Sequence, residues 1–523
     1  MTKITGYLFL VILFFIIGYS GHDMWDGVVT SYGYEANDIS GSRASMLAHG
    51  WYLQHFLHLI LFELASNLQI TFFQISSATS LVLIGLMARE VMLLSKKIFF
   101  LEDFFAKIAF CLFIIFPVWQ IFFSSIHIIF IFCILLGVVG TRYIHTEHLL
   151  LKQCIGYLFI LLSFQLSSML VFIPILSYVY GSNKRYINQI SLPSKLTWFI
   201  FSLSVVVFAL RQIIFPQVNE ISGAYNQLIN PFSSLESFKL VLGGILSYST
   251  FLILLLPLSF LFLSNMLLIK SYLKEFYKKI YANRSTLFLL VILLVASVFS
   301  YVMVGKYSML SAEYVMQWEM RHSILLAPVV PIFIAWLFQM VLLDYPRSSR
   351  DNVFIILTML LSLAFLLIGV ASKLNRHEFE AQFISSLKSQ EITPGTVYLV
   401  LDSTSVNTTP LMRAYELNYL FYRAYKNINY NVSFVSKDSK ALEQKGYAEE
   451  ERDQLTLAQS RSKDMWLIEI YDPSNTKCKS IVSMEIKDFS GNLNVIKNSL
   501  GLGNGKLTFA LDSTQCFEQK TKL

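Results

Sequence analysis

The sequence predicts a mainly α-helical, polytopic membrane protein that ends in a small α/β domain, and three observations carry that prediction. Of its 523 residues, 55% are hydrophobic and only 14% are charged, a balance foreign to water-soluble chains. Apolar runs long enough to cross a hydrocarbon core recur through roughly the first 370 residues. Beyond residue 373 they stop, and short alternating runs between polar segments replace them.

Each span needs roughly 20 apolar residues, and about eleven segments qualify. They lie near 5–20, 68–94, 103–120, 123–143, 149–165, 168–182, 194–214, 237–268, 286–304, 323–343 and 353–372. The first contains Tyr7–Tyr19, which is as short as a secretion signal; no small-residue cleavage site follows, so it reads as a retained helix. The stretch 149–182 reads either as two short helices or as one broken helix. With Lys3 in the cytoplasm, the basic clusters gather on the inner face: Lys96 with Lys97, Arg142 with Lys152, Lys184 with Arg185, Lys270 through Arg284, and Arg347 with Arg350. Loops 21–67, 215–236 and 305–322 then lie outside, as does everything after 372. Within the first loop, Trp51–Leu64 is apolar but too short to span, which predicts a helix lying in the interface plane.

Two domains follow from this division: a transmembrane domain over 1–372 and a soluble α/β domain over 373–523. The tail holds 19 Lys/Arg and 18 Asp/Glu, so most of the net charge of +7 belongs to the membrane half and its inner loops. Strand-like runs at Thr396–Asp402, Trp466–Tyr471 and Lys506–Leu511 surround a helical pattern at Leu411–Lys426. The tail's cysteines are Cys478 and Cys516. They are either a disulfide suited to an oxidising compartment, contributing about 4 kcal/mol, or two free thiols.

The chemistry-bearing residues collect at the outer face. Asp23 and Asp26 follow the first span directly. Carboxylates are costly near membrane depth, on the order of 3 kcal/mol at the bilayer centre, and acids placed there are commonly functional. Trp51 and Gln54 open the interfacial helix, and Gln165 interrupts apolar sequence where the fifth and sixth spans meet. The loop before the tenth span carries Lys306, Trp318, Arg321 and His322. An acid in one loop and cations in another suit displacement of a phosphate leaving group. The carboxylate takes a proton from an attacking hydroxyl, and the cations stabilise the departing phosphate. A phosphate leaves without being protonated, so no second acid is needed, in contrast to glycoside hydrolysis.

Other chemistries find little footing. The Gly-rich stretch 501–506 lacks P-loop spacing and a trailing Ser/Thr. His55 with His58, and His145 with His148, do not extend to a metal set, and packing is the simpler reading. The basic segment Lys270–Arg284 is a positive-inside loop, and nothing points to nucleic acid. A transporter predicts internal repeats and ionisable groups at mid-span; here the polar residues gather at the outer ends of spans.

The acid-bearing first loop with Asp23 and Asp26, the interfacial helix after it, and the late run from Arg321 and His322 to Pro328 together resemble the GT-C glycosyltransferases. These are polytopic enzymes that take a sugar from a polyprenyl-phosphate carrier at the outer membrane face. The likeness extends to bacterial members that modify surface polysaccharides such as O-antigen. The resemblance implies a GT-C-like fold and an inverting transfer in a bacterial cytoplasmic (inner) membrane, with the C-terminal domain extracytoplasmic. It further implies Asp26, or failing it Asp23, as general base, with Gly27 beside Asp26 allowing close approach. Arg321, Lys306 and His322 would hold the lipid phosphate, and Trp51, Gln54, Gln165 and Trp318 the sugar or acceptor. The implied partners are a polyprenyl-phosphate-linked sugar donor, a glycan acceptor and the lipid bilayer. No cofactor is required, and whether a divalent cation assists stays open.

Overall fold

In the computed structural model, the described residues are 11, 23, 26–36, 46, 51–114, 116–120, 124–183, 194–214, 277–302, 322–342, 371, 373–401, 412, 414–436, 478–489, 492–499 and 501–516. The chain divides into two compact units. The first comprises 1–14, 78–123 and 127–369; the second comprises 15–77, 124–126 and 370–523. The tail thus shares its unit with residues 15–77 and with a three-residue turn around Ser125.

Among the described residues before position 370, the helices are α1 (Asp26–Glu35), α2 (Tyr52–Leu68), α3 (Phe72–Lys97), α4 (Asp103–Ile114), α5 (Ile128–Thr146), α6 (Leu150–Ser163), α7 (Met169–Asn183), α8 (Lys195–Ile214), α9 (Arg284–Val302) and α10 (Leu326–Leu342). Among the described residues, three helices are long and apolar enough to cross a membrane, Phe72–Lys97, Ser125–Thr146 and Arg284–Tyr301. Leu150–Ser163, Met169–Ser182, Lys195–Leu210 and Leu326–Met340 are shorter apolar helices. The stretch 149–182 resolves into two helices, joined by a turn in which the Gln165 N–H donates to the Leu162 carbonyl (3.2 Å). The expected spans at 5–20, 237–268 and 353–372 lie almost wholly outside the described residues.

Local chemistry sets the boundaries. Gln69 takes a left-handed conformation (φ 54°) that stops α2. Two residues on, Thr71 and Gln74 exchange hydrogen bonds, Thr71 N–H to Gln74 Oε1 (3.0 Å) and Gln74 N–H to Thr71 Oγ1 (3.2 Å), a capping box that starts α3. Lys96 and Lys97 close α3 where the helix dipole favours cations.

In the first unit, helices meet through small residues and short polar links, as expected where apolar packing alone gives little drive. A Cβ on Gly140 of α5 would fall 2.6 Å from the Gly156 carbonyl of α6, so both glycines permit that approach. Gln339 of α10 accepts from the Glu102 N–H (2.8 Å) and donates to the Phe100 carbonyl (3.3 Å). Arg142 makes a two-pronged contact with Glu90, 2.7 and 3.2 Å, with Glu90 buried and Arg142 partly so.

In the second unit, a helical stretch over 373–388 leads into β1 (Thr396–Leu401), α11 (Ala414–Tyr425), β2 (Asn431–Ser436), β3 (Cys478–Lys487), α12 (Asn492–Ser499) and β4 (Lys506–Cys516). The sheet order is β2-β1-β3-β4. β1 runs parallel to β2 and β3, and β4 runs antiparallel to β3. A parallel β1–β2 pair requires a crossover, which α11 supplies. Burial along β1 alternates residue by residue, setting Val397, Leu399 and Leu401 against Phe379, Phe383, Leu417 and Phe421. The β3–β4 register places Cys478 opposite Cys516. The strand expected at Trp466–Tyr471 lies outside the described residues, whereas β2, β3, α12 and the 373–388 helix had no counterpart in the sequence reading.

Candidate functional site

Asp23, in the loop 21–67, is only 2% exposed. Its Oδ2 accepts from Ser31 Oγ (2.6 Å) and from Ser125 Oγ. Its Oδ1 accepts from Ser124 Oγ (2.8 Å) and the Ser125 backbone N–H (3.1 Å). A carboxylate offers about four lone-pair sites, and these four donors match them. Hydrogen bonds to a charged group contribute about 1.5–3 kcal/mol each, so the cluster fixes Asp23 firmly. Gly27 makes it possible: a Cβ there would collide with Asp23 Oδ1 and Ser124 Oγ. Here glycine is needed for close approach, not for an unusual backbone angle.

Around this carboxylate stand two further buried polar groups of the same unit. Lys373 opens the 373–388 helix with its ammonium 5.7 Å from the centre of the Phe73 ring. Burial pulls the Lys373 ammonium down to about 7, against the attraction of Asp23; neighbouring Arg376 pushes the same way as burial, and Glu380 opposes it. His58 of α2 is fully buried, and its Nε2 lies 3.3 Å from the Ser125 carbonyl. Burial pushes the imidazole down to about 4, the carbonyl contact opposes this, and His55 adds to it, so His58 is neutral at ordinary pH. Gln54, one turn before His58, is 2% exposed.

The first-loop helix is tied to the tail by a second set of contacts. Tyr419 and Tyr422 of α11 donate to Glu35, to its Oε1 and its carbonyl respectively, both at 2.8 Å. Tyr32 packs against the same two rings, with centroids 6.0 and 4.8 Å apart. In the same unit Arg376 bridges Glu380 (3.0 Å) and Glu416 (2.5 Å). Burial works against that guanidinium, but the two carboxylates outweigh it and hold its proton more tightly than usual. Tyr34 stacks on Phe62 (4.6 Å) and meets Phe72 (4.3 Å), seating α2 against α1.

The residues expected from sequence separate as follows. Asp23 and Gln54 fall in the second unit, and Trp51, half-buried, directly precedes α2. Asp26 is the first residue of α1; its side chain lies outside the description. Gln165 and His322 belong to the first unit, Gln165 in the α6–α7 turn and His322 buried beside the Tyr301 ring, 5.4 Å between centroids. Arg321, Lys306 and Trp318 lie outside the described residues. Sequence reasoning missed Ser31, Ser124, Ser125, His58 and Lys373. The Ser124–Ser125 doublet inside an apolar run and a lysine just past a span end were the available signals. Among the described residues no group of three or more His, Cys, Asp or Glu converges to hold a metal.

No family model, no curated protein and no solved structure matches the chain.

Proposed function

We propose that the chain is an integral-membrane inverting glycosyltransferase. It moves a sugar from a polyprenyl-phosphate carrier to a cell-surface glycan, such as O-antigen, at the outer face of a bacterial cytoplasmic membrane. On this reading about eleven helices cross the bilayer, and residues 373–523 lie outside the cytoplasm. The observation that carries the reading is the cluster around Asp23: directly after an apolar segment, a buried carboxylate and a buried lysine occupy one polar site of the same unit. The cluster anchors the turn that leads into Asp26, and an acid and a cation together are what displacement of a phosphate leaving group asks of a protein.

The roles divide by engagement. Asp23 already accepts four hydrogen bonds, so for it to take a proton one donor must first turn away. Its part is to pin the start of α1. Asp26, at the head of that helix, is the general base. It removes the proton of the acceptor hydroxyl as that oxygen bonds to the anomeric carbon. The anomeric C–O bond breaks on the opposite face, and the polyprenyl phosphate departs with the electron pair, giving inversion. Lys373 supplies positive charge, together with Arg321, Lys306 and His322. Trp51, Gln54, Gln165 and Trp318 contact sugar or acceptor. The test is incubation of the purified chain in nanodiscs with a panel of polyprenyl-phosphate sugars and candidate glycan acceptors. Sugar transfer with release of free polyprenyl phosphate is expected for at least one donor–acceptor pair; no transfer across the panel counts against the reading.

A further inference from the structure

Along α2, Gln54 and His58 are 2% and 0% exposed and share the buried face with Leu61 and Ala65, while Tyr52, Phe56 and Ile60 are 51%, 61% and 42% exposed. An amide and an imidazole held inside that face need partners there. One partner is visible. The Ser125 carbonyl can only accept, so His58 Nε2 carries the hydrogen and donates to it. The neutral ring then presents Nδ1 as a bare acceptor. Nδ1 of His58 and Nε2 of Gln54 are both buried, and neither has a hydrogen-bond partner among the described residues.

One turn of helix therefore offers one buried acceptor and one buried donor. Leaving such groups unpaired is expensive, and native structures rarely do so outside a site. A hydroxyl is the simplest group that serves both, since it donates and accepts. The location gives the hydroxyl its identity. His58 contacts the backbone of Ser125, the residue whose own N–H and Oγ hold Asp23. We infer that Gln54 and His58 form the hydroxyl-recognition pair for the sugar being transferred, with His58 Nδ1 accepting from one ring hydroxyl and Gln54 Nε2 donating to the same or the adjacent one. The inference rests on the glycosyltransferase reading and adds to it a residue, His58, that the sequence assigned to packing.

The test is binding by the full-length chain in nanodiscs, measured by native mass spectrometry with undecaprenyl phosphate and with undecaprenyl-phosphate-linked hexoses. His58→Gln keeps an N–H for the Ser125 carbonyl and removes the Nδ1 acceptor; Gln54→Leu removes the donor at similar volume. Each variant is expected to bind the glycosylated carrier about tenfold more weakly, the loss of one hydrogen bond. Each should bind the bare carrier as the wild type does. A carrier whose hexose lacks the partner hydroxyl should bind wild type and variant alike, a coupling that a purely structural role does not produce. Equal weakening toward both carriers, or none, overturns the assignment and leaves Gln54 and His58 as internal, hydrated groups. If Gln54→Leu does not fold, Gln54→Met at matched melting temperature decides. A wild type that binds bare carrier but discriminates no hexose overturns the glycosyltransferase reading and this assignment together.

Discussion

Replacing Gly27 with alanine sets two physical effects against each other, and the structure decides the sign. Within a helix alanine is favoured over glycine by roughly 0.5–1 kcal/mol, and Gly27 lies in the first turn of α1, so the helix taken alone gains at most that from Gly27→Ala. The new Cβ, however, would collide with Asp23 Oδ1 and Ser124 Oγ. Oδ1 accepts from Ser124 Oγ and from the Ser125 N–H, so moving it aside breaks both bonds. At about 1.5–3 kcal/mol for each bond to a charged group, and after the helical gain, the net loss is about 2–5 kcal/mol. For a chain of 523 residues that corresponds to a fall in melting temperature of about 2–5 °C. Thermal unfolding of the full chain in nanodiscs, followed by intrinsic fluorescence, measures it. Asp23→Ala removes one colliding group, so the double variant should lose at least about 1 kcal/mol less than the two single losses combined. An unchanged or raised melting temperature for Gly27→Ala would refute the serine–carboxylate cluster as described.

Three further outcomes follow from the same structure. Lys373 is drawn down to about 7 by burial, whereas an unfolded lysine titrates near 10.4, so the unfolded chain binds the extra proton between those values. Its burial penalty is complete below about pH 7 and is relieved as pH rises toward 10; wild-type melting temperature should climb across that window, and Lys373→Met should flatten the climb. Glu90→Gln leaves the partly buried Arg142 without its carboxylate and should cost about 1.5–3 kcal/mol in a thermal melt, with Glu90→Leu combined with Arg142→Met recovering most of it. Tyr419→Phe removes the bond to Glu35 and should cost about 1 kcal/mol, read as faster limited proteolysis of the tail; unchanged proteolysis would show that α1 and α11 hold together without it.

The sequence made the helices legible wherever apolar length was the only information needed. Phe72–Lys97, Lys195–Ile214 and Arg284–Val302 fall within a few residues of the expected spans because hydropathy alone defines them. The tail was harder. β1 announced itself by alternation, but β3 mixes Lys479, Ser480, Ser483 and Glu485 into its run, and its identity comes from pairing with β1 and β4. The site was half legible. Asp23 stood out because acids are scarce after an apolar segment. Its partners are Ser31, Ser124 and Ser125, up to 102 positions away, and serine is too common for one sequence to mark it. His58 sits in an apolar stretch, and only the fold shows that it is buried against the Ser125 carbonyl, 67 positions away.

The most direct test of the account compares wild type, Asp26→Asn and Asp23→Asn in single-turnover transfer from a polyprenyl-phosphate sugar, with melting temperature recorded for each. The account predicts that Asp26→Asn abolishes release of polyprenyl phosphate while melting as the wild type does. It also predicts that Asp23→Asn lowers the melting temperature and slows turnover in step with the loss of the anchored turn. Turnover untouched by Asp26→Asn, or abolished by Asp23→Asn at an unchanged melting temperature, contradicts the division of roles between the two acids.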